Sequence, residues 1–100
     1  MELNKKDRLN HLFDLYNNLL TKHQREIFNM YYMEDLSLFE IASIKKTSRN
    51  AVYNLLNRVV KILENYEKKL NLYSKYQKIL DQLNKTNIDK EKIIKILEDN

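Results

Sequence analysis

Apolar residues recur at steps of three and four along the first part of the chain. Between Asn4 and Leu20 this spacing lines one face of an α-helix. We therefore predict a first helix over these residues. The side chains that it is expected to contribute to the core are Leu9, Leu12, Phe13, Tyr16, Leu19 and Leu20.

Two capping boxes mark the starts of the next helices. Thr21 is followed three residues later by Gln24, and Ser37 by Glu40, so the paired side chains can satisfy exposed backbone amides. The predicted helices run from Lys22 to about Met33 and from Leu38 to Ile44. Their expected inward residues are Ile27, Phe28, Met30 and Tyr31 in the second helix, and Leu38, Ile41 and Ile44 in the third.

A long fourth helix is predicted after a break at Lys45 to Thr47. Ser48 is a good N-cap, and helical periodicity continues from Arg49 to Leu70, which is about six turns. Its apolar residues alternate steps of four and three, at Val52, Leu56, Val59, Leu63, Tyr66 and Leu70. Such a seam is typical of coiled coils and must be covered by another helix, from this chain or from a second copy.

The remaining residues predict two shorter helices. Asn71 tolerates the left-handed conformation that ends helices, so a fifth helix is expected over residues 72–83. A polar turn at residues 84–87 separates it from a sixth helix over residues 88–98. The apolar residues of this last helix are Ile93, Ile94 and Leu97.

Composition narrows the chemistry that the chain can support. Its 100 residues include no cysteine, glycine or proline. Without cysteine there are no disulfides, thiolate nucleophiles or cysteine-based zinc sites, and a cytoplasmic location is expected. Without glycine the chain cannot form a P-loop or the dinucleotide fingerprint, because both need a close approach of backbone to phosphate. No apolar run approaches the ~18 residues of a membrane span, and the polar amino terminus has no signal-peptide hydrophobic region.

Groups suited to catalysis are scarce. His11 and His23 are the only side chains that titrate near neutrality, and each is expected at a polar position of its helix. Neither stands with a carboxylate at a metalloprotease-like spacing. We therefore expect no enzyme activity, no metal and no cofactor.

Positive charge is concentrated in one stretch. Residues 1–44 carry five basic and seven acidic groups, whereas residues 45–69 carry seven basic and two acidic groups. The excess over the second segment is therefore +5, against +4 for the whole chain. Such a patch attracts phosphates, although a solvated helical surface would have the same composition.

The third and fourth helices have the arrangement of a helix-turn-helix. In that motif the first helix braces the duplex backbone, and the amino-terminal turns of the second enter the major groove. Ala51 and Val52 are expected to face the core. The side chains expected to face base edges, or to lie beside those that do, are Ser48, Arg49, Asn50, Tyr53, Asn54 and Arg58. Those expected to contact phosphates are Lys45, Lys46 and Lys61. Helices with these spacings also form inert bundles.

Three segments resemble the YlxM family of small bacterial helix-turn-helix proteins: residues 19–27, 31–42 and 48–53. With residues 63–70, the resemblance covers about residues 8–75. The same segments are also similar to region 4 of bacterial sigma factors. The resemblance implies an all-α fold, with a sigma-region-4-like helix-turn-helix domain at residues 1–70 that includes the long fourth helix. Residues 71–100 are expected to form a helical extension that packs on this domain or on a partner.

The resemblance also implies that the protein acts in, or regulates, the signal recognition particle pathway. Ser48, Arg49 and Asn50 match the start of the family's recognition helix, and Tyr53 and Asn54 match its exposed first turn. Two hypotheses follow. In the first, the protein is a regulator that binds double-stranded DNA. In the second, it is a protein- or RNA-interaction module that binds the particle's GTPase or RNA. A homodimer through the fourth and fifth helices is compatible with both, as is a monomer in which the fifth helix folds back.

Overall fold

The computed structural model describes the backbone of residues 2–99 and the side chains of residues 5–99. Over these residues the fold is all-α, as the sequence predicts. The six helices are α1 (Glu2–Tyr16), α2 (Lys22–Phe28), α3 (Leu38–Lys45), α4 (Arg49–Leu70), α5 (Leu72–Leu83) and α6 (Lys90–Glu98). Within residues 2–99 no helix is both long and apolar enough to cross a membrane.

Helix α1 ends four residues earlier than its apolar pattern suggests. Residues Asn17–Leu19 form a 3₁₀ turn that the Leu20 amide closes by donating to the Asn17 carbonyl at 3.0 Å. The tighter turn breaks the α-helical phase. As a result Leu20 is buried, whereas Leu19 is 53% exposed and the expectation that it lies in the core is wrong.

Both predicted capping boxes are present and start their helices at the expected residues. The Gln24 amide donates to the Thr21 hydroxyl at 3.1 Å, and the Glu40 amide donates to the Ser37 hydroxyl at 3.0 Å. The reciprocal bonds to the Thr21 and Ser37 amides are also made. The bond from the Ser37 amide lowers the pKa of the Glu40 carboxyl.

Helix α2 continues into a π-helical turn at Asn29–Met33. The Glu34 amide donates to the Asn29 carbonyl at 2.9 Å, which is an i to i+5 bond. This wider turn alters the phase of the tyrosines. Tyr31, expected to face inward, is exposed, and Tyr32 instead packs on buried Phe28 with ring centroids 4.5 Å apart.

The buried side of α3 differs from the expected one by one position. Ile41 and Ala42 are buried, while Ile44 is 55% exposed, contrary to the prediction. A residue three or four positions after buried Ile41 can lie on the same side of the helix, so spacing alone does not decide between Ile44 and Lys45. Lys45, four residues after Ile41, is half-buried instead of Ile44 and contacts Glu26 of α2.

Helix α4 is the element on which the others pack. It contributes to one cluster with α1 and α2, which consists of Leu9, Leu12, Phe13, Tyr16, Leu20, Phe28, Val59 and Leu63. It contributes to a second with α2 and α3, which consists of Ile27, Ile41, Ala42, Val52 and Leu56. Each fully buried aliphatic or aromatic side chain stabilises the fold by about 1.5–3 kcal/mol. Because one helix passes through both clusters, α3 and the start of α4 are held rigidly on α1.

The seam along α4 departs from the prediction at both ends. Ala51 is exposed rather than buried, because it is rotated by about 100° from buried Val52. At the other end Leu70 is exposed, Tyr66 is half-buried, and the buried row continues from Leu63 to Glu67. A charged residue therefore completes a seam that the sequence predicts to be apolar.

The chain turns sharply after α4, as predicted. Asn71 has a left-handed conformation with φ 56°, and α5 starts at the next residue and packs on α1 and α4. Helix α6 begins two residues later than expected, because Asp89 is its N-cap and accepts from the Glu91 amide at 3.0 Å. Within the described residues neither α5 nor α6 contributes a fully buried side chain. The boundary between domains at residue 70 stays a prediction.

Candidate nucleic-acid interface

The turn between α3 and α4 is built from two local devices. Lys46 adopts the left-handed conformation, with φ 55°. Its amide and that of Thr47 donate to the carbonyls of Ser43 and Ala42, which is a Schellman ending of α3. Ser48 then caps α4, since its hydroxyl accepts from the Ala51 amide at 3.0 Å. Lys46 thus holds the backbone conformation for which helix-turn-helix motifs often use glycine.

Packing between α3 and α4 fixes the orientation of the second helix. Ile41 and Ala42 of α3 lie in one buried cluster with Val52 and Leu56 of α4. These contacts direct one side of α4 into the core and leave the opposite side free. The second helix of the motif therefore presents its first three turns to solvent.

The exposed side of α4 carries most of the residues chosen from the sequence. The predicted interface residues that are exposed there are Arg49, Asn50, Tyr53, Asn54, Arg58 and Lys61. Asn50, Asn54 and Lys61 lie opposite the buried row, with Arg49 and Tyr53 towards one edge and Arg58 towards the other. Sequence reasoning missed Asn57, which is exposed on the same side. The spacing of three and four residues from Asn54 to Asn57 to Lys61 is the signal that could have found it.

Two of the chosen residues have other partners inside the molecule. The Ser48 hydroxyl accepts the capping bond at the start of α4. The Lys45 ammonium lies 2.5 Å from a Glu26 carboxylate oxygen on α2, and this hydrogen bond lowers the pKa of the Glu26 carboxyl. Lys45 would have to leave this ion pair to reach a phosphate, so its phosphate contact stays a prediction. Lys46, by contrast, is exposed.

Both acidic residues in the basic segment are engaged internally. Glu64 forms a bidentate ion pair with Arg8 of α1, with nitrogen to oxygen distances of 2.8 and 3.0 Å. The hydrogen bonds to Glu64 raise the pKa of the Arg8 guanidinium. Glu67 is only 4% exposed. The acids that offset the basic segment in the formal count therefore contribute little to its outer surface.

Apart from Lys45, the basic residues of the same segment are exposed and have no acidic partner among the described residues. Within the part of the chain that the structure describes, six basic residues of residues 45–69 form no ion pair: Lys46, Arg49, Arg58, Lys61, Lys68 and Lys69. Unpaired cations attract counterions that phosphate groups can displace. The outer side of α4 is consequently a positively charged surface that also carries neutral amide side chains.

Glu67 has a structural role that the sequence does not reveal. Its carboxylate accepts from the amides of Tyr73 and Ser74, each at 3.0 Å, and from the Tyr16 hydroxyl at 2.7 Å. The Tyr16 oxygen in turn accepts from the Leu72 amide at 3.3 Å. The first three amides of α5 are thus capped by side chains from α4 and α1. This capping directs α5 away from the exposed side of α4.

Only one of the two histidines lies away from the helix-turn-helix: His11 packs against α5, whereas His23 lines a shallow cavity with Lys45 and Thr47. His11 stacks on Tyr73, with ring centroids 5.2 Å apart, and His23 is exposed in the first turn of α2. Over residues 5–99, no group of three or more histidine, cysteine or acidic side chains is arranged to hold a metal ion.

Comparison with known proteins agrees with this geometry. A family model described as "Putative helix-turn-helix protein, YlxM / p13 like" matches residues 3–100. The match therefore includes α5 and α6, beyond the segments that carry the resemblance in the sequence. The description is that of a helix-turn-helix protein and names no enzyme activity.

Individual relatives span most of the chain. A protein of Oceanobacillus iheyensis is 47% identical over 91 residues, which is 88% of this chain and 87% of the relative. A protein of Halalkalibacterium halodurans is 47% identical over 92 residues, 89% of this chain and 84% of its own. YlxM of Bacillus subtilis is 45% identical over 85 residues, 85% of this chain and 77% of its own. The chain belongs to the YlxM/p13-like family of helix-turn-helix proteins.

Proposed function

We propose that the protein is a cytoplasmic regulator that binds double-stranded DNA by inserting the first turns of α4 into the major groove. The observation that supports this proposal is the exposed side of α4, where cations without acidic partners among residues 5–99 flank a row of amide side chains. This combination suits a duplex, because phosphates attract the cations and base edges pair with the amides.

In this arrangement the two parts of α4 have different roles. The helix is 22 residues long, or about 33 Å, whereas the major groove is about 12 Å wide. Arg49, Asn50 and Asn54 occupy the turns that enter the groove, and Lys46, Arg58 and Lys61 meet the phosphates on either side. The later turns project away from the duplex.

We further propose that the regulated process is the signal recognition particle pathway. Support for this comes from the family resemblance. A regulator of this kind would act on expression of the pathway's components, and the alternative is direct action on the particle.

A second candidate function is favoured by the apolar side chains of α5 and α6. Leu72, Tyr76 and Leu83 of α5 and Ile94 and Leu97 of α6 are exposed. Such residues suit contact with another protein. In this alternative the helix-turn-helix is a scaffold, and the partner is the particle's GTPase or its RNA. A homodimer that pairs through α4 and α5 is compatible with either function.

Fluorescence anisotropy of a labelled duplex from the gene's own upstream region tests the proposal. We expect binding that weakens steeply with salt and that resists competition by random duplex. Charge reversal by Arg58→Glu with Lys61→Glu should weaken binding by about tenfold or more. The matched control, Lys85→Glu with Lys90→Glu, makes the same charge change on exposed residues outside α4 and should have a smaller effect.

Three outcomes count against the proposal. Absence of duplex binding at low salt would refute it, and so would an equal effect of the control variant. Stronger competition by the particle's RNA than by the labelled duplex would favour the second function.

A further inference from the structure

Three asparagines form a continuous row on the exposed side of α4. Asn50, Asn54 and Asn57 are separated by four and three residues, and all three are exposed. This spacing places them one above another along the helix. The row lies opposite Val52, Leu56 and Val59, which are buried.

The side-chain amides of these asparagines form no hydrogen bond with any residue that the structure describes. In the described part of the chain, the hydrogen-bonding side chains of α4 are those of Glu64 and Glu67. Asparagine is also a poor residue for a helix interior, because its side chain competes with backbone hydrogen bonds. Three such residues on one side of the first nine positions reduce helix stability and leave three donor and acceptor pairs facing outward.

The length of the row matches a few base pairs. At about 1.5 Å per residue the seven residues from Asn50 to Asn57 rise about 10.5 Å. Base pairs repeat every 3.4 Å or so along each strand, so the row spans roughly three of them. An asparagine side chain can donate from its amide nitrogen to N7 of adenine and accept from the N6 amino group of the same base. Among the four bases, only adenine offers this acceptor and donor pair in the major groove.

We propose that Asn50, Asn54 and Asn57 recognise adenines on neighbouring base pairs, and that Asn57 is a determinant of sequence specificity. This inference rests on the proposed function, since it assumes that α4 lies in the major groove. It names the class of target: a duplex with A·T pairs over three or four adjacent positions, bounded by phosphates that contact Lys46 and Lys61.

The test is selection from short duplexes with a randomised central segment, using the full chain and single variants. Wild-type protein should enrich adenine at neighbouring positions. Asn50→Ala, Asn54→Ala and Asn57→Ala should each relax the preference at one position, by about 5- to 150-fold in affinity. Asn65→Ala is the matched control, because Asn65 is exposed on the same helix two turns further on. Its preference should equal that of wild type.

Chemical substitution in the selected duplex separates base contact from DNA shape. Replacing adenine by 7-deazaadenine removes the N7 acceptor and keeps the base pair. We expect wild-type binding to weaken at the selected positions, and the Asn57→Ala variant to be insensitive at its own position.

The outcomes distinguish this inference from the proposed function. Salt-dependent duplex binding with a preference that none of the three alanine variants changes would overturn the inference and leave the proposed function standing. Absence of binding to any duplex would overturn both. Because the three side chains are exposed, circular dichroism of each variant should match wild type, so that lost preference is not confused with unfolding.

Discussion

The Tyr16 hydroxyl donates a 2.7 Å hydrogen bond to the buried carboxylate of Glu67, and through it α1 and α4 together fix the start of α5. The two residues are 51 positions apart in the chain. Their contact occupies an acid that would otherwise reduce the positive potential of α4. It also closes the core at the end of α4 that is distant from the candidate interface.

Removal of the tyrosine hydroxyl is expected to destabilise the protein. Tyr16→Phe removes one of the three hydrogen bonds to the buried Glu67 carboxylate and leaves the Leu72 amide without its acceptor, which costs about 1–3 kcal/mol in the free energy of unfolding. Urea denaturation measures this change. Tyr66→Phe is the control, because Tyr66 is half-buried beside Tyr16 and makes no hydroxyl hydrogen bond to the described residues. Equal stability of the two variants would contradict this account of the contact.

Alkaline pH should weaken the same contact. Burial and the hydrogen bond to Glu67 raise the pKa of Tyr16 to about 12, compared with about 10 for an unfolded tyrosine. The folded state therefore holds the proton more tightly. Its contribution to stability is complete below pH 10 or so and is lost as the pH rises to about 12. The free-energy difference between wild type and Tyr16→Phe should fall by about 2 kcal/mol over this range. All other ionisable groups are the same in the two proteins, so a difference that is constant with pH would exclude the mechanism.

Lys46→Gly should have opposite effects on stability and on binding. Glycine adopts the left-handed conformation freely, so the free energy of unfolding should rise by about 1 kcal/mol. Loss of the cation should weaken binding to all duplexes alike and reduce the salt dependence by about one ion. Asn71→Gly is the matched control, since Asn71 has the same conformation and no charge. A change in sequence preference for Lys46→Gly would place this residue at a base edge instead.

The ion pair between Arg8 and Glu64 tests whether neutralisation of the acids of α4 contributes to DNA binding. Arg8→Ala frees the Glu64 carboxylate, which lies one turn beyond Lys61 on α4. Binding to all duplexes should weaken by about two- to fivefold, and the double variant Arg8→Ala with Glu64→Ala should restore it. Titration at low salt measures both. If the double variant binds as weakly as Arg8→Ala alone, then Arg8 contacts DNA itself, and the explanation that Arg8 acts by neutralising Glu64 is wrong.

The candidate interface was partly accessible from the sequence. Periodicity placed Arg49, Asn50 and Asn54 on the outer side of α4, because that side is defined by the apolar row of the same helix. Lys45 was placed with them because it is basic and near the turn, but its partner Glu26 is 19 residues away. The positive charge of the interface was likewise underestimated, since the acids that appear to offset it have partners in distant parts of the chain.

The sequence by itself determined where the helices begin and where the chain turns. Thr21, Ser37 and Ser48 cap helices through bonds to residues three positions on, and Asn71 turns the chain through its own backbone, so neighbours are sufficient to specify these features. The tertiary structure alone decided which borderline residues are covered. Leu19, Ile44 and Leu70 satisfy an apolar period and still face solvent, whereas Glu67 is buried, because the covering residue or the hydrogen-bonding partner is supplied by another helix whose position no local pattern encodes.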